Sequence, residues 1–482
     1  MTKNSRKGSR YITTTLPYVN ASPHIGFALE AVQADTFARY WRLTGHDVFF
    51  STGTDEHGQK ISQKAQEEGI DTQEYVDRYA AEFNNLKEAL NLSNDNFIRT
   101  TSDQHKKAAQ ELWKRCEAAG DIYKKSYTGL YCVGDEMFLR DVDIVDGKCP
   151  NHPNMKPQEI EEENYFFALS KYEEKLLEYL ATPTSVVPDW RREEAIHFVK
   201  NGLEDLSISR DKERMSWGIS VPGDDSQVMY VWFDALTNYI STLGWPNDTD
   251  GHFEKYWNEG HAVQIAGKDQ IRFQTIIWQA MLMSAELPTA DTVFYHGFIT
   301  SGGQKMSKSL GNVISPFELV EKYGTEAARF MLLRHVHPVD DSDVTWERLD
   351  EWYTADLVNG IGNLTARIMK LAETHLDTAV ERPKAVGFPK EYTGAVKNFR
   401  MDQALDYVWE QIGELDEKIT TTEPFKLIKV DVAAGKSLIQ ELTLELYTIG
   451  ILLNPFMPET NRVIKESVLQ NKKPANLFER LS

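Results

Sequence analysis

Hydrophobic positions in the first two thirds of the chain fall into short, compact runs separated by longer stretches of helical spacing. Residues 11–15 (YITTT) and 47–52 (DVFFST) are short and rich in β-branched or aromatic side chains, which predicts buried strands. The pattern between them is helical, with Ser22 expected as N-cap, Pro23 at the first helical position and Gly45 just past the end. Strand, helix and strand within about 40 residues form a βαβ unit and hence a parallel sheet. Residues 96–100 (NFIRT) fit a third strand. From Lys124 to about Pro188 the rhythm breaks into turn-rich pieces with an acidic run at 161–163, as expected of an insertion. Strand runs resume at 228–232, 262–266 and 292–299, so the sheet is built from both sides of that insertion. After Ser342 the strand signals stop, and residues 351–375 and 433–453 carry the spacing of a helix bundle. The expected fold class is α/β: a doubly wound, Rossmann-like parallel sheet with an inserted domain and a C-terminal α-helical bundle, divided at 1–123, 124–188, 189–342 and 343–482.

Composition narrows the setting. A chain of 482 residues, 41% hydrophobic, can bury a large core spread over two or three domains. Its formal net charge of −20 excludes a uniformly basic nucleic-acid coat but not a basic track on one face. The three cysteines leave one unpaired under any disulfide scheme, and no apolar run approaches the roughly 18 residues of a membrane span. The first ten residues are basic but lack the apolar core of a secretory signal. A reducing cytoplasm, without membrane attachment, is the expectation. Cys116 lies in a helical stretch and reads as core.

Two stretches carry candidate chemistry. Pro23-His24-Ile25-Gly26 follows the first strand and opens the first helix, so backbone N–H groups, the positive end of the helix dipole and an imidazole converge where a phosphate can sit. Gly26 would let a nucleotide approach the backbone. A histidine at a helix start is also an ordinary capping residue. Far downstream, Gly302-Gly303-Gln304-Lys305-Met306-Ser307-Lys308-Ser309 joins a glycine turn to two lysines able to clamp a triphosphate.

His24-Ile25-Gly26 and Lys305–Ser309, in this order, resemble the paired HIGH and KMSKS motifs of class I aminoacyl-tRNA synthetases, with Phe27 in the fourth HIGH position. Within that class, the segments 53–58 (GTDEHG), 230–235 (YVWFDA) and 267–269 (GKD) are similar to those of the methionyl-tRNA synthetases. The resemblance spans nearly the whole chain. It implies activation of methionine by ATP, accompanied by Mg²⁺, and transfer to the 3′ end of tRNA(Met). His24, Gly26, Lys305 and Lys308 would be the catalytic residues. Leu16, Tyr18, Asp55, Trp232, Tyr239, Phe273 and Gln274 would line the methionine site, with Asp55 on the α-ammonium group and aromatic walls around a polarizable thioether. Gln274 stands where these enzymes usually carry a histidine.

By the same resemblance Gly267, Lys268 and Asp269 join His24, Gly26, Lys305 and Lys308 in binding ATP, with Asp269 on the ribose. Asn363 and Arg367 look like the family's anticodon-reading element, and Phe425 stands where a tryptophan usually stacks on an anticodon base. The insertion resembles a connective domain that often holds zinc. Here the spacing is Cys132-x-x-Asp135 and Cys149-x-x-His152, either a tetrahedral site or a knuckle without metal. An insertion of about 65 residues is too small for a separate hydrolytic editing domain. A chain stopping after the bundle is expected to be a monomer. Two readings from other classes compete: a small-molecule nucleotidyltransferase, which would not need the bundle, and an idle tRNA-binding paralogue, which would not need His24, Lys305 and Lys308.

Overall fold

The computed structural model describes residues 8–133, 137–139, 144, 147–150, 154–306, 311–383 and 387–481. Its contacts divide the chain into two compact units, one of Met1–Pro23, Gly45–Asn85 and Asn94–His296, the other of His24–Thr44, Leu86–Ser93 and Gly297–Ser482.

The first unit is organised by a six-stranded sheet. Its strands are β1 (Ser9–Thr13), β2 (Asp47–Thr54), β3 (Asn96–Arg99), β4 (Val186–Val187), β5 (His261–Gly267) and β6 (Thr292–His296). They lie in the order β3-β2-β1-β5-β6-β4, and every pairing is parallel. The order reverses between β1 and β5, the place where open α/β sheets open a crevice at the carboxyl ends of their strands. Five of these strands match the sequence pattern to within a few residues. The sixth, β4, has only two residues and leaves no periodic signal.

Several expectations need correction. Residues 228–232 do not form one strand of this sheet: Asp224–Met229 pairs antiparallel with Ser209–Asp211 and Ser220–Val221, and a helix begins at Val231. The apolar run is continuous because both pieces are buried, and a short apolar run cannot tell strand from helix. The insertion is less turn-rich than its composition suggests. Ile122–Cys132 and Gln158–Phe167 form a long antiparallel ladder, and the acidic run lies within it, with Lys124 paired to Glu163 at 3.3 Å. Finally, the first helix runs Ile25–Leu43, and His24 rather than Ser22 caps it.

In the second unit, that helix is tied to its neighbours through Asp35 and Arg329, neither of which is exposed to solvent. They meet at 2.8 Å. Arg329 also donates to the carbonyls of Leu90, Pro455 and Phe456, and Asp35 accepts from Ser93 and Arg39. A buried ion pair must satisfy its remaining hydrogen-bonding capacity, and this one does. Helices follow from Pro316–Tyr323 to Pro458–Gln470, including Asn363–His375, Met401–Thr422, Pro424–Val430 and Val432–Leu453. The stretch 351–375 is not one helix: a π-type segment, Tyr353–Gly362, precedes Asn363–His375, and Gly360 inside it departs from helical dihedrals.

Candidate active site

Six of the seven residues expected to line the methionine site meet in pairs within the first unit. Asp55 follows the carboxyl end of β2, and its backbone pairs with that of Tyr18, with the Asp55 N–H donating to Pro17 at 3.0 Å and Val19 donating back at 3.1 Å. Trp232 stacks on Phe273 with ring centres 3.7 Å apart and planes 14° apart. Gln274 donates through its amide to the Tyr239 hydroxyl. Asp55, Tyr239 and Gln274 are buried, while Leu16, Tyr18, Trp232 and Phe273 are half-buried. Buried polar groups thus stand with rings and an alkyl chain that keep an accessible face, a chemistry suited to an amphipathic ligand with an apolar tail.

Glu56, next to Asp55, is buried and saturated with partners. Arg99 grips it with two N–H groups at 2.7 and 2.9 Å, and the hydroxyls of Thr54 and Thr101 add to the set. His57 Nδ1 then donates to Asp234 at 2.7 Å, and Asp234 accepts from His105 at the same distance. Burial alone would raise the Asp234 pKa, but the two imidazoles outweigh it and hold the carboxyl down to about 2. His57 and Asp234 fall inside segments 53–58 and 230–235, yet their partnership is invisible in the sequence because 177 residues separate them. His105 has no sequence signal at all.

At the end of β5, Gly267 makes room for the residue two places on. A Cβ there would come within 2.8 Å of an Asp269 carboxylate oxygen. Asp269 accepts from the Gln270 amide at 3.0 Å and is exposed, while Lys268 is half-buried.

In the second unit, the half-buried His24 caps the first helix. Its Nδ1 accepts from the Gly26 N–H at 3.0 Å, and its ring lies 4.6 Å from that of Phe27. A Cβ on Gly26 would sit 2.7 Å from the imidazole, so glycine is what lets the cap form. Burial, reinforced by Lys305, pushes the His24 pKa down to about 4. The ring is therefore neutral near pH 7, and with Nδ1 accepting, Nε2 carries the hydrogen. Lys305 ends a tight hairpin in which Ile299–Ser301 pairs with Gln304–Lys305 across Gly302 and Gly303, both at positive φ. Lys308 lies outside the described residues.

Of the anticodon candidates, Asn363 is exposed, and Arg367, one turn on, pairs with Asp416 from Met401–Thr422. Phe425 is 44% exposed. Its helix buries Pro424 and Ile428 instead, and the backbone of Ile428 packs so tightly on Gly435 that a Cβ there would come within 2.5 Å. In the insertion, Cys132 and Cys149 are buried in one small cluster with Leu139, while Asp135 and His152 lie outside the described residues. Cys116 is core, as expected. No helix among the described residues is long and apolar enough to cross a membrane.

A parallel sheet with a crevice-forming reversal, a capping histidine at the first helix and a lysine hairpin define a class I tRNA synthetase, and the family model "tRNA synthetases class I (M)" matches residues 10–159 and 152–369. The chain is 42% identical to the methionine–tRNA ligase of Rhizobium meliloti over 93% of its own length and 90% of that protein's, and 40% identical to that of Caldanaerobacter subterraneus over 96% and 74%. It is similar to the structure of Mycobacterium tuberculosis methionyl-tRNA synthetase in complex with methionyl-adenylate, with a TM-score of 0.87 and 37% identity over 95% of this chain and 93% of that one. The chain belongs to the methionine–tRNA ligases.

Proposed function

We propose that this chain activates methionine with ATP to methionyl-adenylate and pyrophosphate, then passes the methionyl group to the 3′ end of tRNA(Met), with the following division of labour. The methionine carboxylate attacks the α-phosphorus in line, the bond to the bridging oxygen breaks, and pyrophosphate leaves. A terminal ribose hydroxyl of the tRNA then attacks the activated carbonyl and AMP departs. Neither step requires a covalent bond to the protein, so positioning and charge carry the catalysis.

Asp55 receives the α-ammonium group, and Leu16, Tyr18, Trp232, Tyr239, Phe273 and Gln274 surround the side chain. Asp269 holds the ribose, with Gly267 and Lys268 beside it. His24 offers its Nε2–H to the phosphates over the glycine of Gly26, and Lys305 and Lys308 neutralise charge that grows on pyrophosphate. Mg²⁺ arrives with ATP as part of the substrate. Asn363, Arg367 and Phe425 read the anticodon, Arg367 exchanging Asp416 for RNA. The functional boundaries 1–123, 124–188, 189–342 and 343–482 belong to the same reading, as do a monomer and a cytoplasmic setting.

The single observation that carries the reading is the meeting of Asp55 with Tyr18, Trp232 with Phe273 and Tyr239 with Gln274 beside the sheet whose family makes methionyl-adenylate. Exchange of pyrophosphate into ATP without tRNA tests it: methionine should drive exchange and leucine, isoleucine and valine should not. Exchange driven equally by all four contradicts it. In the insertion, two buried thiols in one cluster fit a soft-metal site, with Asp135 and His152 completing the set and zinc cross-linking the knuckle when bound. Metal analysis of protein purified without chelator decides: about one zinc per chain supports the site, and under about a tenth of an equivalent opposes it.

A further inference from the structure

The chain of contacts around Asp234 has a regularity that its burial alone does not explain. Asp234 lies on the short helix Val231–Leu236, two residues after Trp232. Its Oδ2 meets Nδ1 of His57, two residues after Asp55, at 2.7 Å. Its Oδ1 meets Nε2 of His105 at 2.7 Å, and the other nitrogen of that ring meets the hydroxyl of Ser241, two residues after Tyr239, at 2.9 Å. His57, His105, Asp234 and Ser241 are all buried. Segments 55–57, 232–234 and 239–241, each bearing a proposed methionine-site residue and the first far in sequence from the other two, are therefore pinned at the same offset to one polar chain.

We propose that the His57–Asp234–His105–Ser241 chain is the positioning device of the methionine site, fixing Asp55, Trp232 and Tyr239 relative to one another. This rests on the assignment of those three residues to methionine. A carboxylate whose two oxygens each receive an imidazole N–H fixes both rings, because His57 must carry its hydrogen on Nδ1 and His105 on Nε2. His105 Nδ1 is then the acceptor for the Ser241 hydroxyl. The segment 55–57 is braced from both sides: Glu56 is locked on Arg99 and Thr101, and His57 on Asp234. Between these anchors and its own pairing with Tyr18, the backbone that carries the Asp55 carboxylate is held in place. On the other side, Asp234 sets the rotation of its helix and so the plane in which Trp232 meets Phe273. No member of the chain touches methionine in this scheme, so the four are positioning residues.

Substitutions that keep or lose the right hydrogen-bonding atom separate positioning from mere packing. A glutamine amide nitrogen can take the place of a histidine Nε2, and an asparagine amide nitrogen that of Nδ1. In pyrophosphate exchange, His105→Leu should raise the methionine KM about tenfold and leave the ATP KM within about twofold, while His105→Gln should bring methionine back to within about threefold of wild type. His57→Leu and His57→Asn should divide in the same way. Equal methionine KM in the paired variants, unchanged methionine KM in His105→Leu, or equal losses for both substrates would overturn the proposal. Should the leucine variants fail to fold, Ser241→Ala decides: a methionine KM raised by about threefold or more at constant ATP KM supports it, and a wild-type methionine KM overturns it. Asp55→Asn run alongside separates the two levels of failure. If that variant binds methionine normally, the assignment of the methionine site falls; if it is impaired while the His105 and Ser241 variants are inert, only the positioning chain falls.

Discussion

His24 shows how much of the chemistry is set by one side chain and the residue two places on. Because Gly26 has no Cβ, its N–H reaches Nδ1 and fixes the hydrogen on Nε2. Folding lowers the His24 pKa, so its charge is lost over a defined range: the unfolded chain takes up this proton below about pH 6.5, the folded chain only near 4, and stability falls as pH drops through that interval. A proton NMR titration should find His24 still neutral at about pH 5.5. Lys305→Ala should raise its pKa only part of the way, because burial is the larger cause. A wild-type titration near the ordinary histidine value would remove the fixed Nε2–H from the mechanism. Asp55 makes a second prediction at this scale. Asp55→Asn replaces an ion pair with a neutral contact, and charge-assisted hydrogen bonds are worth about 1.5–3 kcal/mol, so the methionine KM should rise roughly tenfold to a hundredfold while ATP binding stays constant. A methionine KM within about twofold of wild type shows that Asp55 is not the ammonium ligand.

At the scale of elements, what the sequence discloses follows from local periodicity and what it hides is non-local. Residues 11–15 and 262–266 are mostly buried on central strands of the parallel sheet, so their apolar runs are legible, while 47–52 and the edge strand 96–100 are partly buried and legible through their short β-branched and aromatic composition. In the ladder Ile122–Cys132 with Gln158–Phe167, Glu161 and Glu163 are exposed on one face and Glu162 is buried on the other, and an acidic triplet reads as loop until its strand pairing, with Lys124 reaching Glu163, is known. Helix starts are similarly deceptive: Ser22-Pro23 has the right residue types, but the cap is made two residues later by His24. Of the residues proposed for the methionine site, Asp55 and Trp232 were legible through segments 53–58 and 230–235, whereas the Asp234 chain needs the fold to bring residues 57 and 105 to residue 234. Phe425 belongs to this scale too. Pro424 at the helix start and the tight approach of Ile428 to Gly435 turn the phenyl ring outward, the orientation a stacking platform needs rather than that of a core residue. Stacking of a base on an aromatic face is worth about 1–3 kcal/mol, so Phe425→Ala should lower kcat/KM for tRNA charging about tenfold to a hundredfold and leave tRNA-independent pyrophosphate exchange unchanged. Losses in both assays together with a lowered Tm would return Phe425 to a structural role.

The whole molecule, a member of the methionine–tRNA ligases, combines a parallel sheet with a long run of helices at an overall charge of −20. Net charge is a poor guide to tRNA binding because contacts with RNA are local, and Arg367, proposed above to read the anticodon, is paired with Asp416 in this structure. Membership of the methionine–tRNA ligases makes the joined activities a single claim, that methionine activated by this chain is delivered to tRNA by the same chain. Single-turnover transfer measures it most directly. Methionyl-adenylate formed on the enzyme from labelled methionine and ATP, freed of excess substrate and mixed with tRNA(Met), should give labelled tRNA and AMP in equal amounts, and tRNA whose 3′-terminal diol has been oxidised with periodate should accept nothing. Release of the label as free methionine at the same rate with and without intact tRNA would contradict the account.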